Sequence, residues 1–531
     1  MIRALRTFHR RSWLSLSLAA ALAGTGTAAA QSDTARVGLA TAFTAVDPHY
    51  HNQSTNFALG LHLFDPLVTR EANGDLVPAL ATAWRTVDDR TWEFDLRRDV
   101  RFHNGDAFTA EDVVASLARV RTVRSPSSYA VYLQSIEAVE ILDTHRIRIR
   151  TREPNPSLLI ELSLILIVNK RAGGDAPTED FNRGTAAIGT GPFTFRAYQP
   201  GARLELARNV AYWGPRPAWS EVVLRVLPNN ATRVAALLSN DVDLIETVPP
   251  GDLPQLRRDR RVRVWEVDGS RLIFVAFQRS TDRGIPQATG PNGEPLPTNP
   301  MADLRVRQAL SLAINRDAIV DRVMDGAAVA TGQLLPPGSF GYSPDIPVPP
   351  HDPARARALL REAGYPNGLR LGLFGPNDRY INDERVLQAV AQAWQRIGVQ
   401  TEVQVVPWTA FLAHPRHQLP AHLQGALNTT GEASGTLRVV LATPDPRSGM
   451  GTANRGSYSN AAMDTLLRRA MTTIDDRQRE ALLREATRVA MEDVAILPLF
   501  NQKNIWASRA GFAYAGRRDE LTLANALRRG D

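Results

Sequence analysis

The residues best suited to binding chemistry in this sequence are an arginine and a tyrosine, Arg379 and Tyr380, in the segment GPNDRYINDER. An arginine presents a planar, permanently charged fork of donors that matches a carboxylate. The pair directly precedes a segment with helical periodicity, where loop residues can face a cleft. The sequence therefore predicts an anion-binding role for Arg379, but a plain surface arginine gives the same pattern, and both interpretations stay open.

Four further side chains are candidates for the walls of a binding site: Phe43, His49, Tyr50 and Trp408. The first three stand together near the start of the chain, and Trp408 follows a Val-Val-Pro run. Aromatic rings supply large apolar contact areas, but they are commoner in protein cores. The sequence leaves both placements open for these residues.

Motifs that carry catalysis are absent from the sequence, which has no G-x-S-x-G elbow, no H-E-x-x-H helix, no Walker loop and no cysteine. Two histidine pairs, His49-x-His51 and His414-x-x-His417, have the residue type of metal ligands. Neither pair has a second pair or a carboxylate at fixed spacing, so both are interpreted as solvated loop histidines. The chain is predicted to be a non-enzyme without metal or cofactor.

The N-terminus has the layout of a secretory signal. Four arginines fall within the first eleven residues, an apolar run follows, and small residues end at Ala30 before Gln31. The apolar run is too short to span a bilayer, so residues 1–30 are predicted to be a cleaved leader. The mature protein is expected to be periplasmic and soluble, and the lack of cysteine argues against a lipid anchor at the cleavage site.

Charge and length narrow the class of protein. The net charge is +7, but four positive charges belong to the leader, and arginines are interspersed with acids along the rest of the chain. Nucleic-acid binding favours a basic stripe with interleaved aromatics, so the pattern argues against it. The 531 residues exceed what one hydrophobic core usually holds, and two or more lobes are expected.

Residues 74–116 contain the clearest order of predicted elements. Trp92, Phe94 and Leu96 alternate with polar residues, which predicts a half-buried strand. An Asn-Gly turn follows, and Thr109-x-x-Asp112 is a capping box that opens a helix. Beyond residue 300, helical and strand patterns alternate, as in the βα units of a second lobe.

This stretch resembles the extracytoplasmic solute-binding proteins of peptide-type ABC importers. The matching motifs are Pro78-Ala79-Leu80-Ala81, Trp84, Phe102-His103, Phe108-Thr109-Ala110 and Asp112-Val113, with further agreement at Gly189–Phe193, Tyr212–Gly214 and Asn454–Gly456. The order of these motifs is more specific than any one of them. The resemblance covers nearly all of residues 35–525.

The resemblance implies an α/β, two-lobed periplasmic-binding-protein fold with mixed sheets and a first lobe enlarged by an extra subdomain. The predicted division is lobe I at 31–272, lobe II at 273–495 and a return to lobe I at 496–531. The chain is expected to cross between lobes near 271–278 and 496–501. The segment 281–300 is rich in Gly and Pro and is predicted to be an exposed loop.

The resemblance also points to residues 428–435, with the sequence NTTGEASG. Peptide-binding members of the family usually carry a tryptophan here, and then an aspartate that pairs with the peptide's amino group. Neither residue stands at that place in this chain. The polar candidates for ligand contact are therefore Thr429, Thr430, Glu432 and Ser434, and a plain surface loop is the competing interpretation.

The resemblance implies that the chain captures a peptide or peptide-like small molecule between its lobes and delivers it to permease subunits in the inner membrane, as a monomer. Because the amino-binding aspartate is missing while Arg379 is available, the expected ligand carries a carboxylate and needs no free peptide N-terminus. Two classes compete with this interpretation. One is a secreted hydrolase acting on peptides or sugars, and the other is a chaperone-like exported protein.

Overall fold

The structure is a computed structural model that describes residues 33–125, 127–279, 284–415, 418–428, 430–445 and 447–530. The predicted leader lies outside the described residues, as do the candidates Thr429 and His417 and the first residues of the predicted loop 281–300. No helix in the described ranges combines the length and the apolar character needed to cross a membrane.

The described chain contains both strands and helices, which occur singly or in short runs. The strands are β1 Thr34–Leu39, β2 Val68–Arg70, β3 Leu76–Pro78, β4 Ala81–Asp88, β5 Thr91–Leu96, β6 Ile136–Asp143, β7 Arg146–Thr151, β8 Phe193–Gln199, β9 Arg203–Arg208, β10 Glu221–Val226, β11 Leu244–Ile245, β12 Val262–Phe277, β13 Ala288–Thr289, β14 Ala328–Ala330, β15 Leu369–Pro376, β16 Val399–Val406, β17 Ala421–Leu427, β18 Ile496–Arg509, β19 Phe512–Tyr514 and β20 Leu527–Arg529. The α-helices are α1 Ser54–Leu63, α2 Ala110–Thr122, α3 Leu158–Leu162, α4 Lys170–Gly173, α5 Thr178–Arg183, α6 Asn230–Leu238, α7 Leu253–Arg258, α8 Leu304–Leu312, α9 Arg316–Arg322, α10 Pro353–Glu362, α11 Asp383–Gln395, α12 Trp408–Ala413, α13 Ala433–Thr436, α14 Ala461–Ala470 and α15 Asp476–Glu492.

A mixed sheet forms the spine of the described chain, in the order β13-β15-β17-β12-β18-β11-β1-β10-β9-β8, with β14 on β18 and β16 on β15. The long strands β12 and β18 pair antiparallel from Val262 opposite Arg509 to Ala276 opposite Ile496. Their register shifts between Asp268 and Arg271. These two strands therefore connect the two halves of the sheet, and a bulge marks the junction.

The half of the sheet around β1 and the half around β15 have separate apolar cores. Val37, Phe193 and Trp506 are buried in the first core. Leu373, Val390 and Trp394 are buried in the second. Burial of such side chains on the sheet faces is the main term that stabilises each half.

A third core lies under the four-stranded sheet β4-β5-β7-β6. Trp92, Phe94 and Leu96 are buried there, which confirms the strand predicted from their alternation. Helix α2 follows the predicted capping box, in which the backbone N–H of Thr109 donates to Asp112 Oδ2 at 2.9 Å. In the described residues this sheet is not hydrogen-bonded to the main sheet.

One sequence prediction of a helix is wrong in its length. The pattern over 304–324 suggested a single helix, but the structure has α8 and α9 with a break between them. The Asn315 side chain accepts from the backbone N–H of Ala318 at 2.9 Å and starts α9. Asparagine competes for backbone hydrogen bonds in this way, so it caps a new helix more readily than it continues one.

The C-terminal segment packs against the first core. Strand β18 continues to Arg509, well beyond the strand predicted at 496–500. Tyr514 and Leu527 lie in the same apolar cluster as Val37. The chain end therefore lies beside its described beginning.

Candidate ligand-binding site

A cavity of about 510 Å³ lies beside the crossing strands and contains Arg379, and it is called the Arg379 cavity below. Ser54 and Leu59 of α1 line one side. Arg379, Tyr380 and Gly425 line another. Residues associated with both halves of the main sheet therefore enclose the same space, which is large enough for a small organic molecule.

Neighbouring residues hold Arg379 in the loop that directly precedes helix α11. The carboxylate of Asp383 accepts from the backbone N–H groups of Arg379 and Tyr380, at 3.1 and 3.0 Å. The Arg379 guanidinium lies over the rings of Tyr380 and Trp408, at 5.8 and 5.6 Å from their centroids. It forms no ion pair with a carboxylate of the described residues. Its charge is therefore available to an anion.

Tyr380 forms a close-packed part of the wall. Its hydroxyl donates to the carbonyl oxygen of Gly425 at 3.4 Å, and burial raises the pKa of the phenol above its ordinary value. A Cβ at position 425 would lie 2.6 Å from Tyr380 Cε1. Only glycine lets the Tyr380 ring pack this closely against β17, so the position of the ring depends on the absence of a side chain at residue 425.

A second arginine of this cavity is already neutralised. Arg271, at the start of the second half of β12, contacts Glu520 with 2.8 Å between NH2 and Oε1. Burial by itself lowers the pKa of Arg271, but the Glu520 carboxylate outweighs that effect and the pKa is raised. Ser54 donates to the same carboxylate. This ion pair therefore belongs to the wall. Lys503, the third cation of the lining, is paired with Glu266, so Arg379 is the lining cation without an ion pair among the described residues.

A second cavity, of about 680 Å³, contains Arg70 and is called the Arg70 cavity. Thr430 and Glu432 line it, whereas Ser434 lies beside it and donates a hydrogen bond to Glu432. Arg70 NH2 donates to the carbonyl oxygen of Thr430 at 2.7 Å. Three of the predicted loop residues are thus at or beside a cavity, and Thr429 lies outside the described residues.

Glu432 forms a buried ion pair. Its Oε2 lies 2.6 Å from NH1 of Arg479 on α15, and the two side chains are 2% and 7% exposed. Ser157, just before α3, donates to Glu432 Oε1 at 3.0 Å. The carboxylate thus has protein partners on both oxygens, and it is not a free acceptor for a ligand's ammonium group.

The structure places Phe43 and His49 away from both cavities. Phe43 is buried in the first core and packs on Tyr198, with 5.6 Å between ring centroids. His49 is 1% exposed, accepts from Arg119 NH1 at 3.0 Å and donates to the carbonyl oxygen of Leu166 at 2.8 Å. Both expectations of a wall position are therefore wrong, because apolar packing and a buried network hold these residues inside.

Tyr50 and Trp408 have intermediate positions. Tyr50 is half-buried beside His51 and lines neither the Arg379 cavity nor the Arg70 cavity. Trp408 packs edge-on against Tyr380 at 6.0 Å and lies under the Arg379 guanidinium. Trp408 thus supports the arginine from behind, which differs from the predicted direct wall.

The histidine pairs have different outcomes. His49 is buried rather than solvated, and burial lowers its pKa to about 4. His51 contacts Thr44 Oγ1 at 3.1 Å, and His414 packs on Phe374. His417 is outside the described residues. Within the ranges that the structure describes, no group of three or more His, Cys, Asp or Glu side chains is arranged to hold a metal.

Sequence reasoning missed Arg70, Arg271, Arg479 and Glu520. Arg70 and Arg479 are separated by about four fifths of the chain and meet only through the fold. No local motif distinguishes them from the other arginines of this arginine-rich sequence. Only three-dimensional contacts could have identified them.

Solved structures with the same architecture define the fold. HbpA2 from Haemophilus parasuis superimposes with a TM-score of 0.80 at 22% identity, covering 94% of this chain and 100% of the other. The periplasmic binding protein DppA from Helicobacter pylori, in complex with the peptide STSA, gives a TM-score of 0.72 at 22% identity, covering 93% and 98%. The fold is therefore the two-lobed α/β fold of periplasmic binding proteins, and the predicted fold class is confirmed.

The chain belongs to the bacterial extracellular solute-binding proteins, family 5, because residues 75–446 match the model of that family's middle region. It is 27% identical over 460 residues to heme-binding protein A of Haemophilus influenzae, covering 81% of this chain and 80% of the relative. It is 25% identical over 483 residues to the dipeptide-binding protein of Escherichia coli, covering 85% of each. The predicted family is confirmed, and these relatives are binding proteins.

Proposed function

We propose that this chain is the solute-binding component of an ABC importer and captures a peptide or peptide-like small molecule through a carboxylate held by Arg379. The observation that carries the proposal is the exposed Arg379 guanidinium, which lines a cavity without an ion-pair partner among the described residues. A ligand carboxylate supplies the missing acceptor and can take two parallel N–H bonds from the fork.

The surroundings of Arg379 favour a ligand with an apolar portion. Leu39, Leu59 and Trp506 line the same cavity, together with polar groups from α1 and β18. Apolar burial supplies the main driving force for such binding, and the few oriented polar groups select the ligand. Relatives of this chain are named for binding dipeptides, heme and, in Shigella flexneri, glutathione. Each of these ligands combines at least one carboxylate with a larger remainder that can be buried, as the lining of this cavity favours.

The proposed division is lobe I at 31–272, lobe II at 273–495 and a return to lobe I at 496–531. Strands β12 and β18 join the two halves of the sheet, and their bulge between Asp268 and Arg271 is a natural hinge. Closure about this hinge buries the ligand between cavity walls that belong to different lobes. The closed form then docks on permease subunits of the inner membrane.

Location and chemistry follow from the same proposal. The protein acts in the periplasm after removal of residues 1–30, as a soluble monomer without lipid anchor. It releases its ligand chemically unchanged. Recovery of intact ligand after long incubation supports this, whereas a product that forms only with the protein, and not with a single-residue variant, refutes it.

Thermal shift screening combined with small-angle scattering tests the proposed function. Peptides and other small carboxylates are added to the purified protein, and a true ligand raises Tm because it binds only the native state. The same ligand is expected to reduce the radius of gyration. Binding without compaction contradicts the hinge, and the absence of any binder among carboxylates contradicts the Arg379 anchor.

A further inference from the structure

We propose that the Arg70 cavity is a second anion-binding subsite, so that the ligand is a small acid with a second carboxylate or phosphate group. Asn428 and Asp519 line the Arg70 cavity, and their chain neighbours Leu427 and Glu520 line the Arg379 cavity, so the two spaces adjoin. The inference rests on the proposed function for its first anchor, Arg379. It deepens that function by naming the ligand class, and it depends on a different set of residues.

Arg70 is a cation without an acidic partner. Its NH2 donates to the carbonyl oxygen of Thr430, while its buried Nε has no hydrogen-bond partner. Neither Asp519 nor Glu432, the carboxylates that act on it most strongly, forms an ion pair with it. Burial lowers the pKa of Arg70, as expected for a guanidinium that has lost water without gaining a counter-ion.

The acids of this cavity are mostly committed elsewhere. Glu432 and Asp476 contact Arg479, at 2.6 and 3.1 Å. Glu480 contacts Arg484 at 2.9 Å. The two remaining lining acids have other partners: Asp519 is paired with Arg517 at 2.6 Å, and Asp75 accepts from the amide of Asn73 at 2.7 Å.

Two of the four arginines that line this cavity form no ion pair among the described residues. Arg70 and Arg518 each donate to a backbone carbonyl, of Thr430 and Pro337, and neither contacts a carboxylate of the described residues. A ligand ammonium in this space would meet Arg70 as a like charge and would find its acids already paired. An anion would satisfy Arg70 and disrupt no existing pair.

The loop geometry keeps Arg70 in place. Gly431 has a φ of +73°, and a Cβ there would lie 2.7 Å from Arg70 NH1. The Gly431 backbone N–H donates to Asn428 Oδ1 at 2.8 Å, and the Asn428 amide donates to the carbonyl oxygen of Glu432 at 2.9 Å. The loop is therefore braced, and its glycine leaves room for the guanidinium directly above it.

Three dipeptide derivatives test the inference by calorimetry: Ala-Ala, N-acetyl-Ala-Ala and N-succinyl-Ala-Ala. All three share the C-terminal carboxylate for Arg379, and they carry respectively a cation, no charge and an anion at the other end. The succinyl compound is expected to bind at least about tenfold more tightly than the acetyl compound, as one charge-assisted contact provides. The free-amine dipeptide is expected to bind most weakly.

Variants separate charge recognition from general damage. Arg70→Gln is expected to remove the preference for the succinyl compound and to leave the acetyl affinity within about twofold. The matched control Arg488→Gln, which lies outside the cavity and whose charge Glu485 and Glu492 already neutralise, is expected to retain the preference. A preference for the free amine, or an equal loss for all three compounds in Arg70→Gln, overturns the inference.

Failure of the proposed function gives a different result. If none of the three dipeptides binds, the peptide-like ligand is wrong, and inorganic phosphate and succinate then test the cavity directly by thermal shift. A rise in Tm that Arg70→Gln abolishes supports the anion subsite, and phosphate acting without succinate assigns it to phosphoryl groups. No shift in the wild-type protein with either anion overturns it.

Discussion

Glu432 and Arg479 form an ion pair with 2.6 Å between Oε2 and NH1, and both side chains are almost fully buried. The pair joins the loop after β17 to helix α15, and Ser157 before α3 adds a hydrogen bond from outside this half of the sheet. It therefore engages Glu432, one of the polar candidates for ligand contact in residues 428–435. The contact converts a candidate ligand group into a structural one.

Glu432→Gln is expected to reduce stability more than it reduces binding. The change leaves Arg479 buried with only Asp476, an exposed acid, as ionic partner. Removing one member of a buried pair typically costs about 3–5 kcal/mol. Urea unfolding measures the loss, and the control Glu480→Gln removes a half-exposed pair and is expected to cost less than about 1 kcal/mol. A stable Glu432→Gln protein that binds a cationic ligand poorly contradicts this role and restores an amino-binding acid.

Arg379→Ala is expected to weaken binding of carboxylate ligands with little loss of stability. The guanidinium is exposed in the ligand-free structure, so its removal disturbs few native contacts. Ligand binding removes water from the Arg379 guanidinium. In the variant the ligand carboxylate is buried without a counter-charge, and the free energy of binding is expected to weaken by about 2–5 kcal/mol. Calorimetry with the identified ligand measures the change. Arg385→Ala, an exposed arginine of α11 outside the cavity, is the control and is expected to bind normally.

Asp383→Ala tests the support of Arg379 rather than its charge. The Asp383 carboxylate accepts from the backbone of Arg379, Tyr380 and Glu384, so its loss frees the loop before α11. Ligand affinity is expected to fall by about tenfold, since the loop that carries the Arg379 guanidinium must then become ordered on binding. A crystal structure of the variant with ligand should show the same Arg379 contact. Unchanged affinity would mean that the loop needs no such support.

Glu161 gives the protein a specific pH dependence of stability. Burial raises its folded pKa from 4.5 to about 7, although Asn155 donates to it at 2.7 Å. Between about pH 4.5 and 7 the folded state thus holds a proton on Glu161 that the unfolded state releases. The stabilisation that this proton provides is lost as the pH rises from about 4.5 through 7. Through Glu161, the free energy of unfolding falls by at most about 1.4 kcal/mol for each pH unit in this range.

Glu161→Gln should remove that slope. Urea unfolding of both proteins at pH 5 and pH 7.5 is expected to show the variant gaining about 1–3 kcal/mol relative to wild type at the higher pH. Glu179→Gln, at an exposed position, is the control and should parallel the wild type. Parallel curves for Glu161→Gln as well would mean that Glu161 titrates normally in the folded protein.

Local patterns predicted local structure well. The alternation at Trp92 and Phe94 and the capping box at Thr109 both correspond to observed elements, because hydrogen bonds within a few residues determine them. The predicted helix at 304–324 failed at Asn315, where a side chain of low helix propensity became a cap. The family and the fold class were also accessible, since they depend on an ordered set of such local motifs.

The site was only partly accessible from the sequence. Arg379 and Tyr380 were predicted to face a cleft, and both line a cavity, because a loop before a helix often does so. Phe43 and His49 were misplaced, since residue type alone does not separate a cavity wall from a core. Arg70 and Thr430 are 360 positions apart in the sequence, and no local pattern predicts that they meet.

Native mass spectrometry of the protein purified from its own cell envelope tests the central claim most directly. Wild-type protein is expected to carry one small molecule per chain, whose fragmentation shows at least one carboxylate. Arg379→Ala purified in the same way should be largely empty, while Arg385→Ala should retain the molecule. A bound molecule without an acidic group, or one that Arg379→Ala retains at full occupancy, would contradict the account.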